Sequence, residues 1–218
     1  MKKIITLVSI AFIGFAAHAQ DSSQGLKGAW FATSQFGYQQ SKTGEVKATN
    51  LSVLPIVGTF VTPSVAVGAG IGYINIKSEG YDQVSPDVRT LGNTNLIVIQ
   101  PLARKYWNLA GSLYFFGQAA IPVITGKEKE SNLKVNQVGL SVSGGFDYFV
   151  TKNFSVEFSY DLANFTSTTL KPENGEKTTV TNFGLAHVAN VDSYYNTALG
   201  GSAPNLTTPI SVGFKFIF

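Results

Sequence analysis

The sequence predicts an all-β fold, a closed antiparallel up-and-down β-barrel of eight strands with ten as the alternative count. Three observations predict it. Apolar and polar residues alternate with period two through most of the chain, the mark of strands with two different faces. Charged residues make up only 13%, about half the share of an ordinary soluble domain, while aromatics reach 12% and glycine 22 residues. Finally, the connectors between alternating segments are short and long in turn.

The alternation is clearest from Phe154 to Leu162. Phe154, Val156, Phe158, Tyr160 and Leu162 share one parity, and Ser155, Glu157, Ser159 and Asp161 share the other. A helix would scatter these residues around its axis. Similar patterns predict strands near 28–40, 49–61, 64–77, 93–106, 111–125, 135–149, 154–166 and 206–218. The stretch from Leu51 to Phe60 is apolar on both parities and leaves its facing open. Pro55 and Pro101 lack the N–H that a ladder needs, so both are expected at irregularities. Gly68, Gly70 and Gly72 are expected to leave room for long side chains opposite.

Short connectors are predicted at Val61–Ser64, Trp107–Ala110 and Val150–Asn153. Longer polar ones are predicted at Ser41–Ala48, Ser78–Gly92, Gly126–Lys134 and Ser167–Asn205. That asymmetry suits a membrane barrel with tight turns at one end and loops at the other. Within the last loop, residues 178–195 read as a strand extension or small hairpin, and one more crossing pair there would make ten strands.

The first residues read as an address. Lys2 and Lys3 precede an apolar run from Ile4 to Ala16, followed by Ala17-His18-Ala19, a small-x-small cleavage pattern. Residues 1–19 are therefore expected to be a signal peptide cleaved after Ala19, with Gln20 opening the mature domain, 20–218. Of the formal +3, Lys2 and Lys3 supply two units, which leaves +1 for the rest. The basic isoelectric point thus gives no reason to expect nucleic acid. Cysteine is absent, which excludes disulfides, a thiol nucleophile and lipidation at cysteine. No later stretch reaches the roughly 18 apolar residues of a spanning helix. A mature chain in a membrane must then cross it as a closed barrel, the other architecture that satisfies every backbone group in lipid.

The closing segment, Ser211 to Phe218, places Gly213, Phe216 and a terminal Phe218 in a polar-x-Gly-x-x-apolar-x-aromatic pattern. It resembles the signal that the outer-membrane assembly machinery reads on a last strand. The mature chain as a whole resembles the porin-like outer-membrane β-barrel domain family of Gram-negative bacteria. The matching features are Pro55 to Tyr73, Pro101 to Tyr106, Phe149 to Phe154 and the closing strand. The resemblance implies the barrel fold and an outer-membrane location. It implies as partners outer-membrane lipid and, during biogenesis, periplasmic chaperones and the assembly machinery. It implies little chemistry.

One parity sends Arg104, Asp147, Glu157, Asp161 and Lys215 into the lumen, together with Gln100, Gln118, Ser141, Ser143 and Ser159. An eight-strand interior is just wide enough for side chains to fill, and buried charges need partners. These residues are expected to form an ionic network that plugs the lumen, with the lining of a narrow path for small solutes or apolar compounds as the alternative. Trp30, Tyr38, Tyr73, Tyr106, Trp107 and Tyr148 lie near strand ends and are expected in interfacial aromatic belts. Catalysis finds little support. His187 is followed by Asp192 and Ser193 in the long loop, but no spacing fixes a triad of the lipid-modifying kind. Neither a metal site nor a cofactor is expected.

Overall fold

The computed structural model of the chain describes residues 26–43, 46–79, 93–129, 132–185 and 210–218. The predicted cleavage site at Ala17, Ala19 and Gln20 lies outside them, as do His187, Asp192 and Ser193. Ten strands follow in order: β1 (Trp30–Thr43), β2 (Val46–Thr62), β3 (Val65–Glu79), β4 (Thr94–Ala110), β5 (Leu113–Ala120), β6 (Val123–Glu128), β7 (Lys134–Thr151), β8 (Phe154–Lys171), β9 (Thr178–Leu185) and β10 (Ile210–Ile217).

All pairings are antiparallel, and the sheet closes where β10 meets β1, with Phe31 opposite Ile217 and Thr33 opposite Lys215. Trp30 and Phe218 exchange backbone hydrogen bonds of 3.0 and 2.8 Å at the end of that seam. Ten strands occupy eight positions around the ring, because two positions are shared. β5 and β6 both lie between β4 and β7. β9 and β10 both lie against β8, one above the other. The eight-position barrel predicted from the sequence is thus the observed one, and the extra strands come from interruptions within a position.

Proline explains the first interruption. Pro122 separates β5 from β6, and Pro101 faces the gap from β4, where Ile121 N–H reaches the Pro101 carbonyl at 3.0 Å. Pro122 in turn accepts from Gly139 N–H at 2.9 Å. Pro101 cannot donate back to Ile121, and Pro122 cannot donate back to Gly139, so each of these pairs keeps one bond and the ladder thins on both sides of the break. A further register shift lies between Val142 and Ser143 on β7, opposite Ala163 and Asp161 on β8. Such a bulge re-aims the residues beyond it. Asp161 faces inward below the shift and Asn164 above it.

The strands run longer than predicted at the long-loop end. β1 and β2 stay paired to Thr43 and Val46, and β6 and β7 to Lys127 and Lys134. Strand therefore takes 41–43 and 46–48 of the first predicted loop, and 126–128 with Lys134 of the other. In the first of these, Thr43 and Val46, both residues that suit a pleated strand, face each other as the last pair of the ladder.

Facing follows parity. On β2 Ser52, Leu54, Ile56 and Phe60 are buried, while Val53 and Val57 are exposed, which resolves the stretch the sequence left open. Outside, large apolar side chains are exposed at every position around the ring: Phe36, Val57, Ile71, Ile99, Phe115, Leu140, Phe158 and Phe214 among them. The space left by Gly70 and Gly72 is filled from the neighbouring strand, not from across the lumen. A Cβ at either would come within 2.9 or 2.7 Å of the Leu54 side chain.

Candidate functional site

Four of the five predicted inward charges meet in one cluster near the short-turn end. Arg104 on β4 directs its guanidinium across the lumen to Glu157 on β8, with Nη1 2.6 Å from Oε2. Its Nε and Nη2 donate to Gln118 Oε1 on β5 at 3.0 and 2.7 Å. Nη1 also reaches the Tyr106 hydroxyl at 3.2 Å. The guanidinium carbon lies 4.1 Å from the centroid of the Phe116 ring, a cation–π distance.

Lys215 on β10 completes the arrangement. Its ammonium pairs with Asp147 on β7, with Glu157 Oε2 at 3.0 Å, and with the Tyr106 hydroxyl at 3.0 Å. Phe31 and Tyr106 place their rings 5.9 and 5.3 Å from the same nitrogen. Relative exposure is 6% for Arg104, 9% for Glu157 and 0% for both Lys215 and Asp147. Two cations and two carboxylates thus cancel in a volume closed to solvent. Bridging through Glu157 joins the two pairs into one network, which is the arrangement in which buried charges are tolerated.

Gly213 acquires a structural reason that the terminal pattern did not suggest. It stands in register with Glu157, and a Cβ there would come within 2.9 Å of Glu157 Cγ. The missing side chain makes room for the carboxylate that bridges Arg104 and Lys215. Gly58 makes similar room for the Phe31 ring beneath the lysine, whose nearest atom would lie 2.3 Å from an added Cβ. Phe216 and Phe218 belong to the closing seam; Phe216 faces outward and its ring lies 5.5 Å from that of Phe154.

Asp161 does not join the network. It faces the lumen four residues above Glu157, about 13 Å at the rise of a strand, and the register shift lies just beyond it. Among the described residues it makes no hydrogen bond or ion pair. Tyr106 also departs from expectation: it is 2% exposed, inside the lumen, and binds both cations instead of joining an outer belt. Its parity, the same as that of Arg104, carried that information. The other belt residues, Trp30, Tyr38, Tyr73, Trp107 and Tyr148, are exposed. Gln118 and Phe116 were readable as inward, but nothing local to them announced a role beside Arg104.

The fold and interior together define a closed antiparallel β-barrel of eight positions with an apolar exterior and a buried, charge-paired cluster in its interior. No protein-family model and no curated protein matches the chain. Among solved structures it is similar to the crystal structure of Neisserial surface protein A (NspA), at 14% identity and a TM-score of 0.42, over 88% of this chain and 100% of that one. That likeness is low, and the barrel stands here on its own hydrogen-bond register.

Proposed function

We propose that the chain is an integral outer-membrane barrel, exported through a cleaved leader at 1–19 and closed to ions by the cluster of Arg104, Glu157, Lys215 and Asp147. Its role is structural or interactive, exercised through the long connectors, and not catalytic. The observation that carries this reading is the apolar exterior that runs around the whole ring. Large apolar side chains cover the outside at every position, while the inside holds both an apolar core and the buried charge cluster. A protein surrounded by water rarely exposes contiguous apolar area beyond a few hundred Å², whereas a barrel in lipid requires it. The closing pattern at Gly213, Phe216 and Phe218 supports recognition by the assembly machinery as the route of insertion.

Planar-bilayer recording of the purified mature chain tests the closure. No steady single-channel steps are expected from the native protein. Replacing Arg104 and Glu157 together with alanine removes one bridge of the network and is expected to introduce steps. Regular conductance from the native chain would reject the plug in favour of a narrow solute path.

A further inference from the structure

The outer wall changes character toward the long-loop end, and the change runs in the same order along three adjacent strands. On β7 the outward residues Leu140 and Val138 are apolar, Asn136 is polar and Lys134 is cationic. On β8, Phe165 gives way to Ser167, Thr169 and Lys171, and on β6, Val123 gives way to Thr125 and Lys127. Lys127, Lys134 and Lys171 are all exposed, while their chain neighbours Glu128, Val135 and Leu170 are buried. All three lysines therefore point away from the lumen. Register sets them side by side: Lys127 is opposite Lys134, and Lys134 is opposite Lys171.

Directly opposed residues on antiparallel strands stand roughly 5 Å apart at Cα, and like charges so placed repel. Among the described residues no carboxylate relieves them, since the ion pairs found there all involve Arg104 or Lys215. Glu128 points inward and is 4% exposed. Glu173 accepts a hydrogen bond from Asn132 Nδ2 at 2.6 Å. A line of cations held together without a counter-charge is complementary to an anion. The adjoining strand shows where the line stands. Asn95 of β4 is the other partner of Lys127, and its side-chain oxygen accepts from the Tyr73 hydroxyl and from Asn75 Nδ2, both at 2.7 Å. Tyr73 is exposed on the outer face, with its hydroxyl in this polar row. A ring on an apolar wall with its hydroxyl in a polar network suits the boundary between hydrocarbon and water. One pleat below the lysines, Thr125 donates to Asn136 at 2.8 Å, so those polar groups satisfy each other.

We infer that Lys127, Lys134 and Lys171 form a docking row for the phosphate of an anionic membrane lipid, whose acyl chains lie along Val138, Leu140 and Phe165. Lys134, with a cation on either side, is its centre. The occupant is a lipid and not a free anion, because the apolar wall continues below the cations on the same strands. The inference rests on the proposed insertion in a membrane. The two fail separately: a chain that runs folded in unheated detergent gels but shows no preference for anionic lipid sinks the docking row and leaves the insertion standing.

The test is native mass spectrometry of the mature chain released from nonionic detergent, titrated with dioleoyl phosphatidic acid or dioleoyl phosphatidylcholine. The phosphatidic acid is expected to bind at least about tenfold more tightly, as several lysines beside an anionic headgroup require. Lys134→Gln is expected to weaken its binding about fivefold, the contribution of one lysine, and Lys134→Arg to retain it. The triple variant Lys127→Gln/Lys134→Gln/Lys171→Gln is expected to bind the two lipids alike. Lys152→Gln, which removes one exposed charge from the turn at the far end of β7, is expected to change little. Each substitution by glutamine at the row relieves a repulsion, so the folded gel band is expected to persist. If a variant loses that band, the lipid preference of the native chain and the effect of Lys134→Arg decide. Equal affinity of the native chain for both lipids, an undiminished preference in the triple variant, or equal weakening by Lys152→Gln would each overturn the proposal. So would displacement of the phosphatidic acid by an equal concentration of inorganic phosphate.

Discussion

Lys215 holds three partners from three different strands, and each arrives by a separate turn of the chain. Its ammonium touches Asp147 of β7, Glu157 of β8 and Tyr106 of β4. Removing the cation alone strands two buried carboxylates beside one guanidinium. Lys215→Met is therefore expected to destabilise the barrel by about 3–5 kcal/mol, the cost of breaking a buried pair from one side. The double variant Lys215→Met/Asp147→Leu removes both members of a pair and is expected to recover most of that loss. Urea unfolding of the inserted protein, followed by its gel shift, measures both. Equal destabilisation by the single and double variants would show that the ionic pairing is not what the site provides. The parity of the strands places Lys215, Asp147, Glu157 and Arg104 on the inner face before any fold is known. It does not say that Glu157 bridges two cations while Asp161, of the same parity and type, stands outside. That choice depends on how far each strand is slid against its neighbours, a quantity no local pattern encodes.

Among the elements, the last position is the one that departs most from a plain strand. β9 and β10 lie end to end against β8: Leu185 is opposite Ala163, and Ile210 is opposite Tyr160. Only Asp161 and Leu162 separate those two partners on β8, although residues 186–209 separate them in sequence. Replacing residues 186–209 with a short glycine–serine linker is thus expected to leave a folded barrel, because the two half-strands already share one hydrogen-bonding track. Retention of the folded band in unheated detergent gels checks this, and its complete loss would show that the excised segment is needed for closure. The strand character of residues 178–185 is evident from their residues, and the sequence reading of a strand extension describes β9 well. The break at Ile121-Pro122 was not foreseen. A single proline in an otherwise alternating run looks tolerable until Pro101 is found opposite Ile121, so that bonds to both neighbouring strands are lost at adjacent residues.

At the scale of the whole molecule, the decisive property is the apolar exterior. Phe36 is 71% exposed and Ile71 66%, figures that recur in kind around the ring. The mature chain is expected to be monodisperse only in detergent or lipid, to aggregate when detergent is withdrawn, and to migrate differently in detergent gels before and after boiling. Size-exclusion chromatography with light scattering checks the first two outcomes. A stable monomer in plain buffer would overturn the membrane reading.

Alternation along the chain was enough to dictate an all-β wall and, outside Leu51–Phe60 and the register shift on β8, which side chains look in and which look out, because a pleated strand turns its side chains over at every residue. The count of eight positions was readable too, since each crossing carries its own apolar-polar run. Closure dictated the rest. Which carboxylate meets which cation and why Gly213 must lack a side chain both depend on the stagger between strands around the ring. That stagger is set by contacts between residues far apart in sequence, such as Phe31 with Ile217, and it exists only once the sheet has met its own edge.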